Sequence, residues 1–424
     1  MIACGIGRIE RSLGESVTAT LPGARIGDGL IIEAAGGRRV RGTVAAIGAR
    51  SVTVAPLGSL GGVASGDRVR LAPEATESVL GFGLANRAVD AAGEPLDGGL
   101  LPAGMRAPVD LRAPEPGRRV PVTRPFWTGV RAIDGVLTIG AGARVGLFGA
   151  PGAGKSTLLE TIVAGSSADA VVVGLVGERG REAQRWIATL RAPAVAASRT
   201  IVCATSDRSA SERVRAAELA MAQAMHLRDR GLRVLLVVDS LARYVAALRE
   251  RSVGLGEPAG RGGYPPSVFA ALARYLECAG NGAHGAGRLT TIATVLPDGG
   301  DDREPLTEAA RSLLDGHLAL SSELASAGRF PAIDVVASAS RTMNDVVAPA
   351  HRSAAARVRA ALARLAETRD LRAAGLTDPG DAELARLVRA EPALDAFLRH
   401  AGVTAAPEML RRLGELRTVL GEPP

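Results

Sequence analysis

A loop that could bind phosphate is the clearest chemical signal in this sequence. Residues 149–156, here called the phosphate loop, fit the pattern G-x-x-x-x-G-K-[ST] at every fixed position. Its glycines allow a sharp turn that points backbone N–H groups inward, at the positive end of the helix predicted to follow. The pattern predicts that Lys155 reaches the β- and γ-phosphates of a nucleotide and that the Ser156 hydroxyl binds Mg²⁺. The predicted nucleotide-binding residues are Gly149, Ala150, Pro151, Gly152, Ala153, Gly154, Lys155, Ser156 and Thr157.

The position of the only lysine supports this interpretation. Lysine and arginine together number 51, and Lys155 is the single lysine among them. Arginine therefore stands almost everywhere that a planar guanidinium is tolerated, whereas the compact ammonium persists in the phosphate loop. A chance match to an eight-residue pattern is the alternative, and the unique lysine argues against it.

Two carboxylates follow apolar runs at places where a nucleotide hydrolase needs acidic groups. Asp239 ends the run 234–238 and is predicted to orient Mg²⁺, directly or through water. Glu178 follows the run 171–176 and is predicted to face the γ-phosphate and orient an attacking water. Each residue also has a simpler interpretation, because Asp239 could cap a following helix and Glu178 could form a surface pair with an arginine.

The elements that must position these residues are apolar runs that alternate with helical stretches between residues 131 and 345. Such alternation indicates a parallel sheet covered by helices on both faces, with ligands at the carboxyl ends of the strands. The predicted strands are 144–148, 171–176, 200–204, 234–238, 289–296 and 333–336, and the clearest helices between them are 211–230 and 267–278.

Three domains are predicted from the order of these patterns. Residues 1–75 contain short β-rich runs separated by glycine-rich breaks, which indicates a small N-terminal β-barrel. Residues 76–345 form the α/β core, and their first part, 76–130, is rich in proline and glycine and is predicted to be a plain connector. Residues 346–424 show helical periodicity with abundant Ala, Leu and Arg, which predicts a C-terminal helical domain.

The composition is typical of a globular protein of the cytosol. Hydrophobic residues make up 47% and charged residues 22%, and no apolar run approaches the ~20 residues of a membrane span. Cys4, Cys203 and Cys278 are scattered, so neither a metal site nor a disulfide framework is predicted. The net charge of +7 could indicate nucleic acid or anionic lipid as a partner, but arginine-rich codon usage is the favoured explanation. The aromatic fraction of 3% is too low for base-stacking surfaces.

Six segments besides the phosphate loop carry a family signal: 128–135, 177–182, 239–243, 264–269, 313–317 and 331–334. Together with the phosphate loop, they resemble the catalytic subunits of rotary-type ATPases, and most closely the type III secretion ATPases of injectisomes and flagella. The resemblance extends from about residue 7 to residue 398. It implies a RecA-like P-loop core with a parallel sheet, preceded by a small barrel and followed by a helical domain.

The resemblance also implies roles for individual residues. Glu178 resembles the catalytic glutamate, Arg179 the neighbouring arginine on the phosphate side, and Glu182 an acid near the magnesium. Phe330 occupies the position where the family stacks an aromatic ring on adenine, and Arg341 matches the arginine finger that enters the neighbouring subunit's site. ATP and Mg²⁺ are the cofactors implied. The expected catalytic residues are Lys155, Glu178, Arg179 and Arg341, and the expected metal-binding residues are Ser156, Glu182 and Asp239.

The function implied is ATP hydrolysis that powers protein export through a type III secretion apparatus, by releasing or unfolding substrates held by chaperones. The implied assembly is a homohexamer in the cytoplasm, peripherally associated with the inner membrane. Its implied partners are a central stalk, stator proteins and chaperone–substrate complexes, and no nucleic acid. The segment 338–344 is closer to injectisome members than to flagellar ones, so a flagellar export ATPase is the alternative.

Two other functions fit part of the sequence. An RNA translocase could use the same core, but residues before Phe82 include no aromatic side chain that could stack on bases. A regulatory nucleotide-binding subunit without activity would not need Glu178, Asp239 or Arg341. The family usually has an amphipathic segment before the barrel, whereas here Gly7 and the residues after it are expected to open the barrel almost at once.

Overall fold

A closed six-stranded barrel forms the N-terminal part of the computed structural model, which describes residues 5–150, 152–190, 197–295, 305–400 and 402–421. Its strands are β1 (Ile6–Leu13), β2 (Ser16–Thr20), β3 (Gly29–Glu33), β4 (Arg39–Ile47), β5 (Val52–Leu57) and β6 (Arg68–Leu71). They pair antiparallel in the order β1-β2-β5-β4-β3-β6, and β6 closes on β1. Every second side chain of β2, Val17 and Ala19, is fully buried inside the barrel. The predicted barrel is therefore confirmed.

A nine-stranded sheet follows the barrel. The remaining strands of the described residues are β7 (Glu77–Val79), β8 (Arg87–Val89), β9 (Arg106–Pro108), β10 (Pro125–Phe126), β11 (Ile139–Gly140), β12 (Arg144–Phe148), β13 (Ala170–Glu178), β14 (Ser198–Thr205), β15 (Arg233–Asp239), β16 (Gly280–Asn281), β17 (Arg288–Val295), β18 (Gly316–Leu320) and β19 (Ile333–Ser340). The sheet order is β19-β18-β12-β17-β15-β13-β14-β8, parallel from β18 to β8. β19 is antiparallel at one edge, and β16 pairs with β17. The predicted α/β class is confirmed.

Helices cover both faces of this sheet. In the described residues they are α1 (Arg131–Val136), α2 (Lys155–Gly165), α3 (Gly180–Thr189), α4 (Ala210–Asp229), α5 (Leu241–Gly254), α6 (Pro266–Glu277), α7 (Pro305–Leu313), α8 (Ser322–Ser326), α9 (Met343–Val346), α10 (Pro349–Glu367), α11 (Arg369–Ala373), α12 (Ala382–Leu398) and α13 (Ala406–Val419). None of these helices has the length and apolar character that a membrane crossing requires.

The strands in the middle of the sheet bury both of their faces. Along β13, Val171, Val173 and Leu175 pack with α1, α2 and α3 on one face, whereas Val172 and Val176 pack with α4 and α5 on the other. Successive side chains of a strand point to opposite faces, so a strand covered on both sides needs an apolar residue at nearly every position. This is why β13 and β15 can be predicted from continuous apolar runs, and β17 from a run of apolar residues and threonines, within two residues of their observed ends.

The edge strand β8 could not be predicted in this way and corrects one expectation. It lies within residues 76–130, which were expected to form a plain connector, yet it pairs in parallel with β14 and buries Ala88 and Val89. Asp97 fixes the strand, because its carboxylate accepts hydrogen bonds from Arg87 Nε at 2.7 Å and from the Ala88 N–H at 3.0 Å. Three residues of strand between turns give no period to detect, so the connector interpretation is wrong at β8.

The C-terminal helices share a hydrophobic core with one face of the sheet. Phe397 of α12 and Met409 of α13 lie against Gly135 of α1, where an added Cβ would be within 2.8 Å and 3.2 Å of their side chains. Leu394 of α12 belongs to the same apolar cluster as Leu147 of β12. The predicted helical segment is confirmed, whereas the domain boundary between residues 345 and 346 stays a prediction.

Candidate nucleotide site

The phosphate loop lies between the end of β12 and the start of α2. Gly154 adopts a φ of 87°, a left-handed conformation that residues with a Cβ rarely adopt, and the chain turns there into α2. Lys155 Nζ donates hydrogen bonds to the carbonyl oxygens of Gly149 at 2.6 Å and Ala150 at 2.9 Å. The ammonium therefore lies within the curve of the loop, where phosphate oxygens would be alternative acceptors. Pro151 falls outside the described residues.

The other residues of the loop differ in exposure. Ala153 is buried, whereas Gly152 and Thr157 are exposed. Ser156 is half-buried in the first turn of α2, and its hydroxyl makes no hydrogen bond with any other residue that the structure describes. The hydroxyl is thus available as a ligand at the position where the sequence predicts a contact with Mg²⁺.

The carboxyl ends of neighbouring strands bring the two predicted carboxylates to this loop. Asp239 of β15 pairs with Leu175 of β13, three residues before Glu178, and β17 lies between β15 and β12. Because these strands are parallel, the phosphate loop, Asp239 and Glu178 all lie at the carboxyl ends of the strands. Burial lowers the pKa of the Lys155 ammonium, and the charges of Asp239 and Glu178 offset part of this shift by raising the pKa. The structure therefore brings all three residues together.

Asp239 is held in place by a residue of the strand beside it. Asp239 is 7% exposed, and Thr294 Oγ1 of β17 donates a hydrogen bond to its carboxylate at 2.7 Å. Burial raises the pKa of Asp239, while the hydrogen bond from Thr294 and the Lys155 ammonium lower it. The next helix, α5, has its own cap, because the Ser240 hydroxyl accepts a hydrogen bond from the Arg243 N–H at 3.2 Å. The interpretation of Asp239 as a helix cap is therefore wrong.

A bulge at the end of β13 sets the direction of Glu178. The pairing with β14 shifts at Gly177, whose φ of 69° is left-handed. A Cβ at Gly177 would lie 3.1 Å from Cδ of Arg243, so glycine also allows this arginine to approach. Arg243 Nε lies 3.2 Å from Glu178 Oε1, and its Nη1 donates to the Gly177 carbonyl. Glu178 is only 5% exposed, so this ion pair is not the surface pair considered from sequence.

Acidic groups crowd together around Glu178. Burial raises the pKa of Glu178, and a hydrogen bond with Glu182 and the charge of Asp239 raise it further, whereas Arg243 lowers it. Glu182, in the first turn of α3, also raises the pKa of Asp239. Carboxylates held this close repel each other when ionised. The site therefore favours binding of additional positive charge.

The oxygen atoms of the site fit Mg²⁺ as part of a nucleotide complex. Among the described residues, no three His, Cys, Asp or Glu side chains meet closely enough to hold a metal ion by themselves. Mg²⁺ commonly takes one or two protein oxygens and completes its shell with phosphate oxygens and water. The unpaired Ser156 hydroxyl and the buried Asp239 carboxylate supply this kind of ligand set, with Glu182 close by.

Phe330 lies beside the phosphate loop, although it is distant in sequence. Its ring is 49% exposed, and two ring carbons lie 3.4 and 3.5 Å from the point that a Cβ of Gly154 would occupy. An exposed aromatic face next to a phosphate-binding loop can stack on the base of a nucleotide held there. Phe330 therefore lies beside the phosphate loop, and its stacking on adenine stays a prediction.

Arg341 lies at the amino ends of the parallel strands, whereas the phosphate loop lies at their carboxyl ends. β19 runs antiparallel to β18, so it begins near the loop and ends level with the amino ends of the parallel strands. There the Arg341 N–H donates to the Asp315 carbonyl at 2.9 Å, and the Asp315 N–H donates to the carbonyl of Arg144, the first residue of β12, at 2.8 Å. The side chains of Arg341 and Arg179 are exposed and form no hydrogen bond or ion pair within the described ranges. Both are therefore available to a neighbouring molecule.

Arg243 and Thr294 contact the two carboxylates, but the sequence alone assigns them no role. Arg243 had a detectable signal, since it lies in the first turn of the helix after Asp239 and a buried pair of carboxylates needs a cation. Thr294 had none, because only the sheet order places β17 between β12 and β15. One residue was thus predictable from charge balance, whereas the other requires the structure.

Known proteins share this arrangement of sequence and fold. Residues 129–340 match the nucleotide-binding domain of the ATP synthase alpha/beta family. The Type 3 secretion system ATPase of Sinorhizobium fredii is 42% identical over 398 residues, which cover 93% of this chain and 88% of that protein. The flagellum-specific ATP synthase of Pseudomonas aeruginosa is 40% identical over 366 residues, covering 85% and 80%. The assembled ATPase EscN of the enteropathogenic E. coli type III secretion system superposes with a TM-score of 0.90 at 35% identity, covering 97% and 99%.

This chain belongs to the type III secretion ATPases of the ATP synthase alpha/beta family. The structure of EscN in complex with its central stalk EscO is also similar to this chain, with a TM-score of 0.88. The expectations of family, fold and ATP hydrolysis are thereby confirmed. The roles of individual residues in the export ATPase stay predictions, and they rest on the geometry described above.

Proposed function

We propose that this export ATPase hydrolyses ATP at sites shared between neighbouring subunits of a homohexamer, and that hydrolysis releases and unfolds export substrates held by chaperones. The observation that supports shared sites is that Lys155 and Arg341 lie at opposite ends of the strands of one sheet. A finger arginine that cannot reach its own phosphate loop must act on the loop of a neighbour. The solved assembly of the related EscN is consistent with such a neighbour.

The residues of one subunit divide the chemistry of the site between them. Lys155 and the N–H groups of the phosphate loop bind the β- and γ-phosphates. Ser156 and Asp239 would hold Mg²⁺, which when bound would neutralise charge on the phosphate oxygens. Glu178 accepts a hydrogen bond from the attacking water and orients it toward the γ-phosphorus. Arg243, 3.2 Å from Glu178, favours the ionised form that this role requires.

Each subunit supplies the Arg341 cation to the site of its neighbour, because Arg341 cannot reach the phosphate loop of its own subunit. Arg341 of the neighbour stabilises the charge that spreads over the γ-phosphoryl oxygens in the transition state. Arg179, exposed at the N-terminus of α3, adds positive charge on the phosphate side, and Phe330 stacks on the adenine ring. Hydrolysis therefore depends on assembly.

The partners follow from the relatives. A central stalk is proposed because EscN is known in complex with its central stalk EscO. Stator proteins, chaperone–substrate complexes and peripheral contact with the inner membrane from the cytoplasm belong to the same proposal. A flagellar export system is the alternative, because a flagellum-specific relative is almost as similar as the type III secretion relative.

Two assays test this function. The first measures steady-state turnover of MgATP by the purified chain with and without RNA. We expect turnover without RNA and no stimulation by it, whereas activity only with RNA would indicate a translocase and no activity at all a regulatory subunit. The second replaces the chromosomal gene of the native host by the Lys155→Ala variant and scores injectisome secretion and motility separately. Loss of secretion with normal motility is expected; loss of motility alone would indicate the flagellar system.

A further inference from the structure

The loop that presents Phe330 is a compact unit between α8 and β19. Its backbone is closed by hydrogen bonds from the Gly328 N–H to the Ala325 carbonyl and from the Arg329 N–H to the Leu324 carbonyl, both at 2.9 Å. Arg329 and Phe330 are adjacent, so a displacement of the arginine also displaces the short loop that carries the aromatic ring. The ring lies against Gly154 of the phosphate loop.

One carboxylate of the C-terminal helices holds this loop. Asp395 of α12 accepts a hydrogen bond from Arg329 Nη2 at Oδ1, while Arg399 Nε lies 2.9 Å from Oδ2. The side chains of Arg329 and Asp395 are 31% and 27% exposed, so the pair is partly shielded from water. Partial burial and a second arginine on the same carboxylate strengthen such a pair relative to a surface ion pair.

Asp395 lies in a groove of about 660 Å³ between the α8–β19 region and the C-terminal helices. Arg369 and Glu323 also bridge this groove, but their side chains are 54% and 73% exposed. Glu391, one helical turn before Asp395, pairs with Arg372 at 2.9 Å, and both residues belong to the C-terminal helices. Of these pairs, Arg329–Asp395 is the shielded one that joins the helical region to a nucleotide-site loop.

We propose that Asp395 is a positioning residue for Phe330, so that the C-terminal helical region helps to set affinity for the nucleotide base. The inference rests on the proposed function, in which Phe330 stacks on adenine. By linkage, binding of a base that displaces the Phe330 loop changes the geometry of the Arg329–Asp395 ion pair. Conversely, a shift of α12 changes the affinity for the base. Movement of the helical region and nucleotide binding are thereby coupled through one ion pair.

The test compares Asp395→Asn with Glu391→Gln, a matched neutral change on the same helix and in the same groove. Loss of the ionic pair is expected to weaken MgADP binding, measured by calorimetry, about five-fold. Binding of magnesium pyrophosphate, which has no base to stack on Phe330, should change less. The kcat for ATP should stay within about two-fold while KM rises, because chemistry at the γ-phosphate is untouched. Glu391→Gln should leave both affinities unchanged.

Two further variants separate positioning from general loosening of the fold. Arg329→Gln should reproduce the loss, which keeps the proposal testable if Asp395→Asn folds poorly. In a Phe330→Ala background, Asp395→Asn should have no further effect on MgADP binding, because its action passes through the ring. An effect equal to that of Glu391→Gln, equal losses for MgADP and magnesium pyrophosphate, or an undiminished effect without Phe330 would each overturn the inference. A wild-type chain that binds MgADP but never hydrolyses ATP would instead contradict the proposed function.

Discussion

The trans action of Arg341 can be tested by mixing two inactive variants, Arg341→Ala and Lys155→Ala. Backbone hydrogen bonds place Arg341 level with Arg144, at the start of β12, whereas the phosphate loop begins five residues later at Gly149. At ~3.3 Å per strand residue the separation is roughly 16 Å, more than an arginine side chain can span. Arg341→Ala should therefore lower turnover by roughly 10³–10⁵-fold through loss of a neighbour's finger.

Mixing should restore activity in a predictable amount. In a randomly assembled equal mixture, about a quarter of the interfaces join an intact loop to an intact finger, so turnover per chain should reach about a quarter of wild type if sites act independently. The matched control mixes Lys155→Ala with Glu178→Gln, both of which damage the same side of each interface and cannot complement. Activity per subunit should also rise with protein concentration as the assembly forms. Absence of rescue in mixtures shown to share assemblies, or equal rescue in the control, would refute the reasoning.

Three further changes probe the loop, the metal and the fold. Lys155→Arg should abolish turnover of MgATP, because a bulkier planar guanidinium does not suit a site where the ammonium bonds two loop carbonyls; wild-type turnover would contradict this. Asp239→Asn should raise the Mg²⁺ concentration for half-maximal turnover by about ten-fold, as measured by titration, and an unchanged requirement would exclude Asp239 from the metal site. Asp97→Asn should lower the free energy of unfolding by about 2 kcal/mol at neutral pH, because the hydrogen bonds from Arg87 and the Ala88 N–H lose their charged acceptor. Arg87 holds the pKa of Asp97 well below its usual range, so the charged carboxylate stabilises the fold fully at any pH above the ordinary aspartate pKa. The difference in free energy of unfolding between wild type and Asp97→Asn, measured with denaturant, should therefore shrink as the pH falls below that pKa. A difference that persists in acid would contradict the ionic origin.

The fold was largely predictable from sequence because its central strands are buried on both faces. β12, β13 and β15 needed apolar residues or glycine at almost every position, and such runs are easily recognised. β8 was not predictable, since its three residues take their stability from Asp97 and from β14 and not from a local pattern. Local sequence therefore determines the middle of the sheet, whereas tertiary contacts determine its edge.

The candidate site divides in the same way. The phosphate loop, Asp239 and Glu178 stand at the ends of recognisable strands, so their convergence follows from the parallel order of the sheet. Charge balance indicates Arg243 as a partner of Glu178, but its close approach depends on a bulge at Gly177 that no periodicity reveals. Thr294 beside Asp239 could not be predicted, because only the sheet order places β17 next to β15. The link between Phe330 and the C-terminal helices is of the same kind, because it requires the placement of α12 beside a distant loop.

The most direct test of the central claim is the Glu178→Gln variant, which keeps the shape of the side chain and removes its charge. MgATP affinity by calorimetry and MgATP turnover should be measured on the same preparation. The account predicts affinity within a few-fold of wild type, because Lys155 and the phosphate loop are intact, and turnover lower by roughly 10²–10⁴-fold, because the attacking water is no longer oriented. Turnover near wild type, or affinity that collapses together with the rate, would contradict the assignment of Glu178 as the residue that activates water.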